Sequence, residues 1–121
     1  MVNVADSPLA GQVDTLLPLH AGPECSVAAT KSYIASIASL LNLAAHWSED
    51  AELLAALETA PALLAQAWAC DWTPLVEQLA TARGLYVIGR GIGFGIAQEA
   101  ALKFKETSGL HAEAFSAAEV K

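Results

Sequence analysis

Apolar and polar positions alternate most tellingly in the C-terminal third of the chain. Leu85-Tyr86-Val87-Ile88 is a short apolar run rich in β-formers, which predicts a buried strand. Gly89-Arg90-Gly91-Ile92-Gly93-Phe94-Gly95 follows, with glycine at alternate positions. Over residues 94–107 apolar and charged side chains recur at helical period, predicting a helix with one apolar and one charged face. Residues 111–115 read as a second strand. Ser116 and Glu119 form a capping-box pattern that predicts a new helix from Ala117. Strand, glycine loop, helix is the entry unit of an α/β domain that holds a phosphorylated or anionic ligand.

The rest of the chain is patterned mainly for helix. Residues 1–4 read as the end of a strand. Residues 6–13 read as a turn or short helix, and residues 15–20 as a strand that Pro18 makes an edge or irregular one. Gly22-Pro23 breaks the chain. Residues 26–47 predict the longest helix, apolar on most sides, with a polar stripe of Ser32, Ser36, Ser39 and His46. A further helix is expected over 50–58, interrupted at Pro61 and restarted over 62–69. Asp71-Trp72-Thr73-Pro74 is a breaker, with Thr73 as N-cap of a short helix over 75–82. Trp68 and Trp72 read as core or interface aromatics. The pattern divides the chain into an α/β piece over 1–48, a helical linker over 49–83 and a second α/β piece over 84–121.

Composition narrows the function. The 121 residues carry a net charge of −7, from 6 basic and 13 acidic side chains, with no basic patch. Nucleic acid is therefore excluded as the expected partner, and a phosphate site would need local donors. Hydrophobic residues make up 55% of so short a chain, which implies that further chain or a partner subunit covers some of them. The apolar stretch near 34–47 is interrupted by Ser36, Ser39, Asn42 and His46 and is too short for a membrane span. Met1-Val2-Asn3-Val4 does not begin a signal peptide. Cys25 and Cys70 are isolated and the three histidines are scattered, so no metal site is expected. Free thiols in a reducing cytoplasm are the default, with Cys25 read as a buried structural thiol.

Two stretches carry candidate chemistry. Glu99, Lys103 and Glu106 stand at i, i+4 and i+7 and share one helix face. Two carboxylates around one ammonium form a set able to move protons, because an ammonium favours the ionised form of a neighbouring carboxylate. On spacing alone, an ordinary solvated face with two ion pairs is the simpler account. The start of the helix over 26–47 is the second stretch. Ser26, Val27, Ala28, Ala29, Thr30 and Lys31 would offer backbone N–H groups and hydroxyls to an anion or a sugar oxygen. The glycines also admit more than one reading. They fail the dinucleotide spacing G-x-G-x-x-G, although Glu113 lies about 20 residues beyond Gly91, where a ribose-binding acid would stand. No G-K-[ST] follows, which excludes a Walker loop. A turn that lets helix and strand pack closely needs no ligand at all.

At the level of whole motifs the chain resembles a known family. YVIGRGxxxxIAxEAALKxKExxxxHAEAFxAxEVK is similar to the second sugar isomerase (SIS) domain of the glutamine–fructose-6-phosphate aminotransferases and their glutaminase-free relatives. HAGPECSVAATKSYIAS is similar to the end of the first SIS domain in the same proteins. The resemblance implies an α/β fold with a flavodoxin-like parallel sheet, flanking helices and two tandem SIS domains. It implies ketose–aldose isomerisation of a phosphosugar such as fructose 6-phosphate or glucosamine 6-phosphate. It further implies no cofactor, a cytoplasmic location and a homodimer. Glu106 would be the base that carries a proton between C1 and C2, and Lys103 would contact the sugar. Val27, Ala29, Thr30, Lys31 and Glu99 would help bind it, and Gly89 and Gly91 would shape the loop.

The match has departures. Ala29 stands where the aminotransferase members usually have serine. The family's ring-opening histidine follows the lysine matched by Lys121. Its phosphate loop and its ketose-binding lysine also fall outside the stretches matched, and no glutaminase domain is present. The expectation is a fragment cut at both ends, inactive alone, from an aminotransferase, isomerase or deaminase, with the glutaminase-free branch favoured. The alternative is a phosphosugar-sensing SIS domain without catalysis. A nicotinamide oxidoreductase is the third and most distant possibility.

Overall fold

The structure, a computed structural model, describes residues 1–120, and Lys121 lies outside the described residues. The chain divides into two units, Met1–Cys70 and Asp71–Lys121. The break falls inside the stretch expected to be a linker.

In the first unit the two short apolar runs meet in a single parallel bridge, Val2 to Pro18, with a 3-10 turn at Ala10–Gln12 between them. Helices α1 (Thr30–Trp47) and α2 (Ala51–Trp68) follow and pack on each other. Asp50 begins α2, its carboxylate accepting the Leu53 N–H at 2.9 Å. Two sequence expectations fail here. Helix α1 begins at Thr30 rather than residue 26. Helix α2 runs unbroken through Pro61. The proline removes one backbone hydrogen bond, but the alanines and leucines around it are strong helix formers and hold the remainder. Trp68 is 89% exposed, so it is not a core residue of this chain.

The second unit contains α3 (Thr73–Leu79), β1 (Gly84–Gly89), α4 (Gly93–Ser108) and β2 (His111–Ser116). Trp72, not Thr73, is the N-cap of α3, and the Asp71 carboxylate accepts the Thr73 N–H at 2.9 Å. The two strands run parallel, from Gly84 beside His111 to Gly89 beside Ser116, with α4 as the crossover. Ala97 and Ala101, one turn apart, bury the inner face of α4, and Ala112 of β2 is fully buried. Small residues permit this close packing, and Gly89 requires it. A Cβ there would lie 2.9 Å from the Ala97 Cβ and collide with the Gly93 carbonyl. Gly109, left-handed at φ 65°, ends α4.

The sheet is covered on one face only. Leu85 and Val87 are half-buried, whereas Tyr86 is 70% and Ile88 52% exposed. The strand expected to be buried is therefore half-open, because α4 covers one side and parallel strands need both sides covered. On the open face Tyr86 meets Phe115 edge to face, ring centres 5.2 Å apart.

Candidate active site on helix α4

The site begins at the end of β1. Gly91, at φ 56°, reverses the chain, and Gly93 and Phe94 donate their N–H groups to the carbonyls of Arg90 and Gly91 at 3.0 and 3.1 Å. The end of β2 meets this turn, since Ala117 N–H bonds the Gly89 carbonyl at 2.9 Å. Beyond it, Glu119 reaches back to the Ser116 N–H at 3.2 Å, which is half of the predicted capping box. Residues 117–119 form a turn rather than a helix. Open α/β sheets hold their ligands outside such carboxyl ends.

With Ala97 and Ala101 turned to the sheet, Glu99, Lys103 and Glu106 project from the opposite side of α4. Lys103 Nζ lies 2.6 Å from Glu106 Oε2 and 3.2 Å from Glu99 Oε1. The three side chains are 19–26% exposed, with Glu106 the most open of them and exposed as a whole residue. The hydrogen bond to Glu106 raises the Lys103 pKa, burial works against it, and Glu99 adds to the rise. Lys103 therefore remains an ammonium at neutral pH. It can donate to a developing oxyanion but cannot serve as the base, which leaves proton abstraction to a carboxylate. Ile92 and Ile96, both well exposed, lie on the same side of the helix.

The second predicted stretch is a loop rather than a helix start. Val27 is 90% exposed and precedes α1, with Ala29 at its N-cap. The expected free donors are partly taken. Ala28 N–H bonds Ser26 Oγ at 3.3 Å, and Thr30 N–H bonds the Ala28 carbonyl at 2.9 Å. Lys31 directs its ammonium to the Pro23 carbonyl at 2.7 Å. Glu24, which sequence reasoning passed over, accepts the Ser32 N–H at 2.7 Å. That bond lowers the Glu24 pKa, with Lys31 contributing. An acidic residue shortly before a helix was the available signal.

Two other expectations fail, for Cys25 and Glu113. Cys25 is exposed, not buried. Glu113 lies opposite Tyr86 in the middle of β2, away from the glycine turn, where it cannot play the ribose-binding part. Among the described residues no three His, Cys, Asp or Glu side chains group as a metal site, and no single helix is long and apolar enough to cross a membrane. A groove of about 500 Å³, lined by Leu79, Arg83, Phe104 and Leu110, adjoins the opposite ends of the strands.

Residues 78–121 match the SIS domain family. The whole chain is 41% identical to part of a glutamine–fructose-6-phosphate aminotransferase (isomerizing) from Zymomonas mobilis and 39% identical to part of one from Staphylococcus aureus. It spans 22% of the length of each. A crystal structure from Silicibacter pomeroyi, provisionally described as a phosphosugar isomerase, superposes on 98% of this chain. The TM-score is 0.91 and the identity 47%, and the match covers 37% of that protein.

Proposed function

We propose that this chain, whose residues 78–121 are SIS-domain sequence, is part of an enzyme that interconverts ketose and aldose phosphosugars. The observation that carries the reading is the Glu99–Lys103–Glu106 set on α4, one ammonium held within 2.6 and 3.2 Å of two carboxylates. In the open-chain sugar, Glu106 removes the proton on the carbon next to the carbonyl. The carbonyl oxygen takes up the negative charge, and an enediolate forms. Lys103 donates a hydrogen bond to that oxygen. The hydroxyl proton passes from its own oxygen to the former carbonyl oxygen, and Glu106 returns its proton to the neighbouring carbon, so the carbonyl moves by one position and no external reactant is consumed. Glu99 balances the ammonium from the other side.

The names of the relatives favour fructose 6-phosphate as substrate and an amino-sugar phosphate as product. Val27, Ala29 and Thr30 are assigned to the sugar, Gly89 and Gly91 to the shape of the turn, and the phosphate to chain outside these residues. A cytoplasmic homodimer that needs no cofactor accords with this chemistry. The test is sugar-phosphate interconversion by the complete gene product and by its Glu106→Gln variant. We expect kcat to fall by about 10²–10⁴-fold while sugar binding persists. Unchanged turnover per bound sugar in the variant would remove Glu106 from the base role.

A further inference from the structure

The loop before α1 is tied at more points than its length needs. Asn3 grips it first, its amide accepting the Ala21 N–H at 2.9 Å and donating to the Gly22 carbonyl at 2.6 Å. His20 and Gly22, at φ 53° and 73°, turn the chain sharply on either side of Ala21. Two reciprocal ties follow. The Lys31 side chain reaches back to the backbone of Pro23 at 2.7 Å, and the Glu24 side chain reaches forward to the backbone of Ser32 at 2.7 Å. Each tie joins a side chain near one end of the loop to the main chain at the other. Between them residues 25–30 are thrown outward, with Val27 90% exposed at the tip.

An exposed apolar tip on a short loop would ordinarily sample many conformations. Here the ends are fixed, so most of the ordering entropy is lost on folding rather than on meeting a ligand. Both ties are charge-assisted and therefore stronger than neutral hydrogen bonds. The Lys31 ammonium is committed to a backbone carbonyl, and the Glu24 carboxylate occupies the N–H of Ser32 in the first turn of α1. A helix start filled by the protein's own carboxylate is a poor place for a phosphate. What the loop offers instead is its backbone and short side chains, which suit the uncharged hydroxyl end of a sugar.

We propose that Glu24 and Lys31 are positioning residues that hold loop 25–30 in its sugar-binding shape, and that Lys31 does not itself contact the sugar. The proposal rests on the isomerase reading for the identity of the ligand, but the clamp can be tested without it. The variants are Glu24→Gln, Lys31→Met and the pair together, with Lys31→Arg as the conservative replacement. In the ligand-free complete protein, amide hydrogen exchange over residues 25–30 should rise about tenfold in each single variant, with α4 unchanged. Lys31→Arg should restore slow exchange, since a guanidinium can reach the same carbonyl. With sugar phosphate, KM should rise about tenfold while kcat stays within about twofold, and the double variant should be no worse than the weaker single variant. Unaltered exchange in both single variants would overturn the clamp. Faster exchange with unaltered KM would overturn its role towards the sugar, as would KM effects that multiply in the double variant. If the unmodified protein turns over no sugar phosphate, the isomerase reading fails, and the exchange measurements still decide whether the clamp exists.

Discussion

Helices α1 and α4 both begin at a chain reversal that matters to the proposed chemistry, and the two reversals are made of different material. At α4 the turn is built from main chain: glycines, the left-handed Gly91, and bonds from Gly93 and Phe94 to the carbonyls just behind them. The groups proposed to react lie further along the helix, on Glu99, Lys103 and Glu106. At α1 the turn is built from side chains, with Asn3, Glu24 and Lys31 each bonded to distant backbone, and the groups on offer are the loop itself. A backbone-built turn leaves the charged side chains free for chemistry. A side-chain-built turn spends its charges on shape. On the proposed reading lysine therefore has two different jobs here, a reacting one at 103 and a structural one at 31.

The comparison can be broken by experiment, and the largest effect should come from the reacting lysine. Lys103→Met should lower kcat of the complete protein by about a hundredfold or more, the usual loss for a donor to a developing oxyanion. Steady-state kinetics and hydrogen exchange on the same sample would check it, and exchange at residues 25–30 should not move. A loss confined to a higher KM would make Lys103 the same kind of residue as Lys31 and erase the distinction. Next in size is the backbone turn. Gly89→Ala should destabilise the second unit by about 1–3 kcal/mol, because the added methyl meets backbone at Gly93 and the Ala97 side chain. Urea unfolding would register it as a lower midpoint, and an unchanged midpoint would show that α4 can shift away from β1.

The smallest effect is a pair of titrations at opposite ends of the pH scale. Glu24 has a lowered pKa, so its contribution to the α1 loop is present above the ordinary glutamate value. It should fade as pH falls below about 4, where the Ser32 N–H loses its charged acceptor beside Lys31. Lys103 has a raised pKa, so its contribution is complete below the ordinary lysine value and should fade only as pH climbs beyond about 10.4. Amide chemical shifts of Ser32 and side-chain nitrogen shifts of Lys103, followed across pH, would separate the two. A Ser32 shift that stays flat in acid would remove Glu24 from the clamp.

Much of the second unit was legible in the sequence because its signals are local. The strand over 85–88 became Gly84–Gly89, the helix over 94–107 became Gly93–Ser108, and the strand over 111–115 became His111–Ser116. Apolar runs, glycines and helical period each act within a few residues, and the Glu99–Lys103–Glu106 grouping follows from helical spacing. What was not legible depends on distance or on count. The start of α1 was misplaced because Glu24, eight residues from Ser32, supplies the capping acceptor while Ser26 bonds Ala28 instead. The break at Pro61 was overstated because a local rule was applied where its neighbours outweigh it. The open face of β1 could not be read from an apolar run, which says that a strand prefers cover but not whether cover is present.

Tyr86, Ile88 and Phe115 have a consequence at the bench. Two parallel strands with a bare aromatic side and, among the described residues, no further strand beside them form a template on which a second molecule can stack or extend the ladder. Preparations of the 121-residue chain should therefore be kept dilute, and a solubility tag would be best retained through purification.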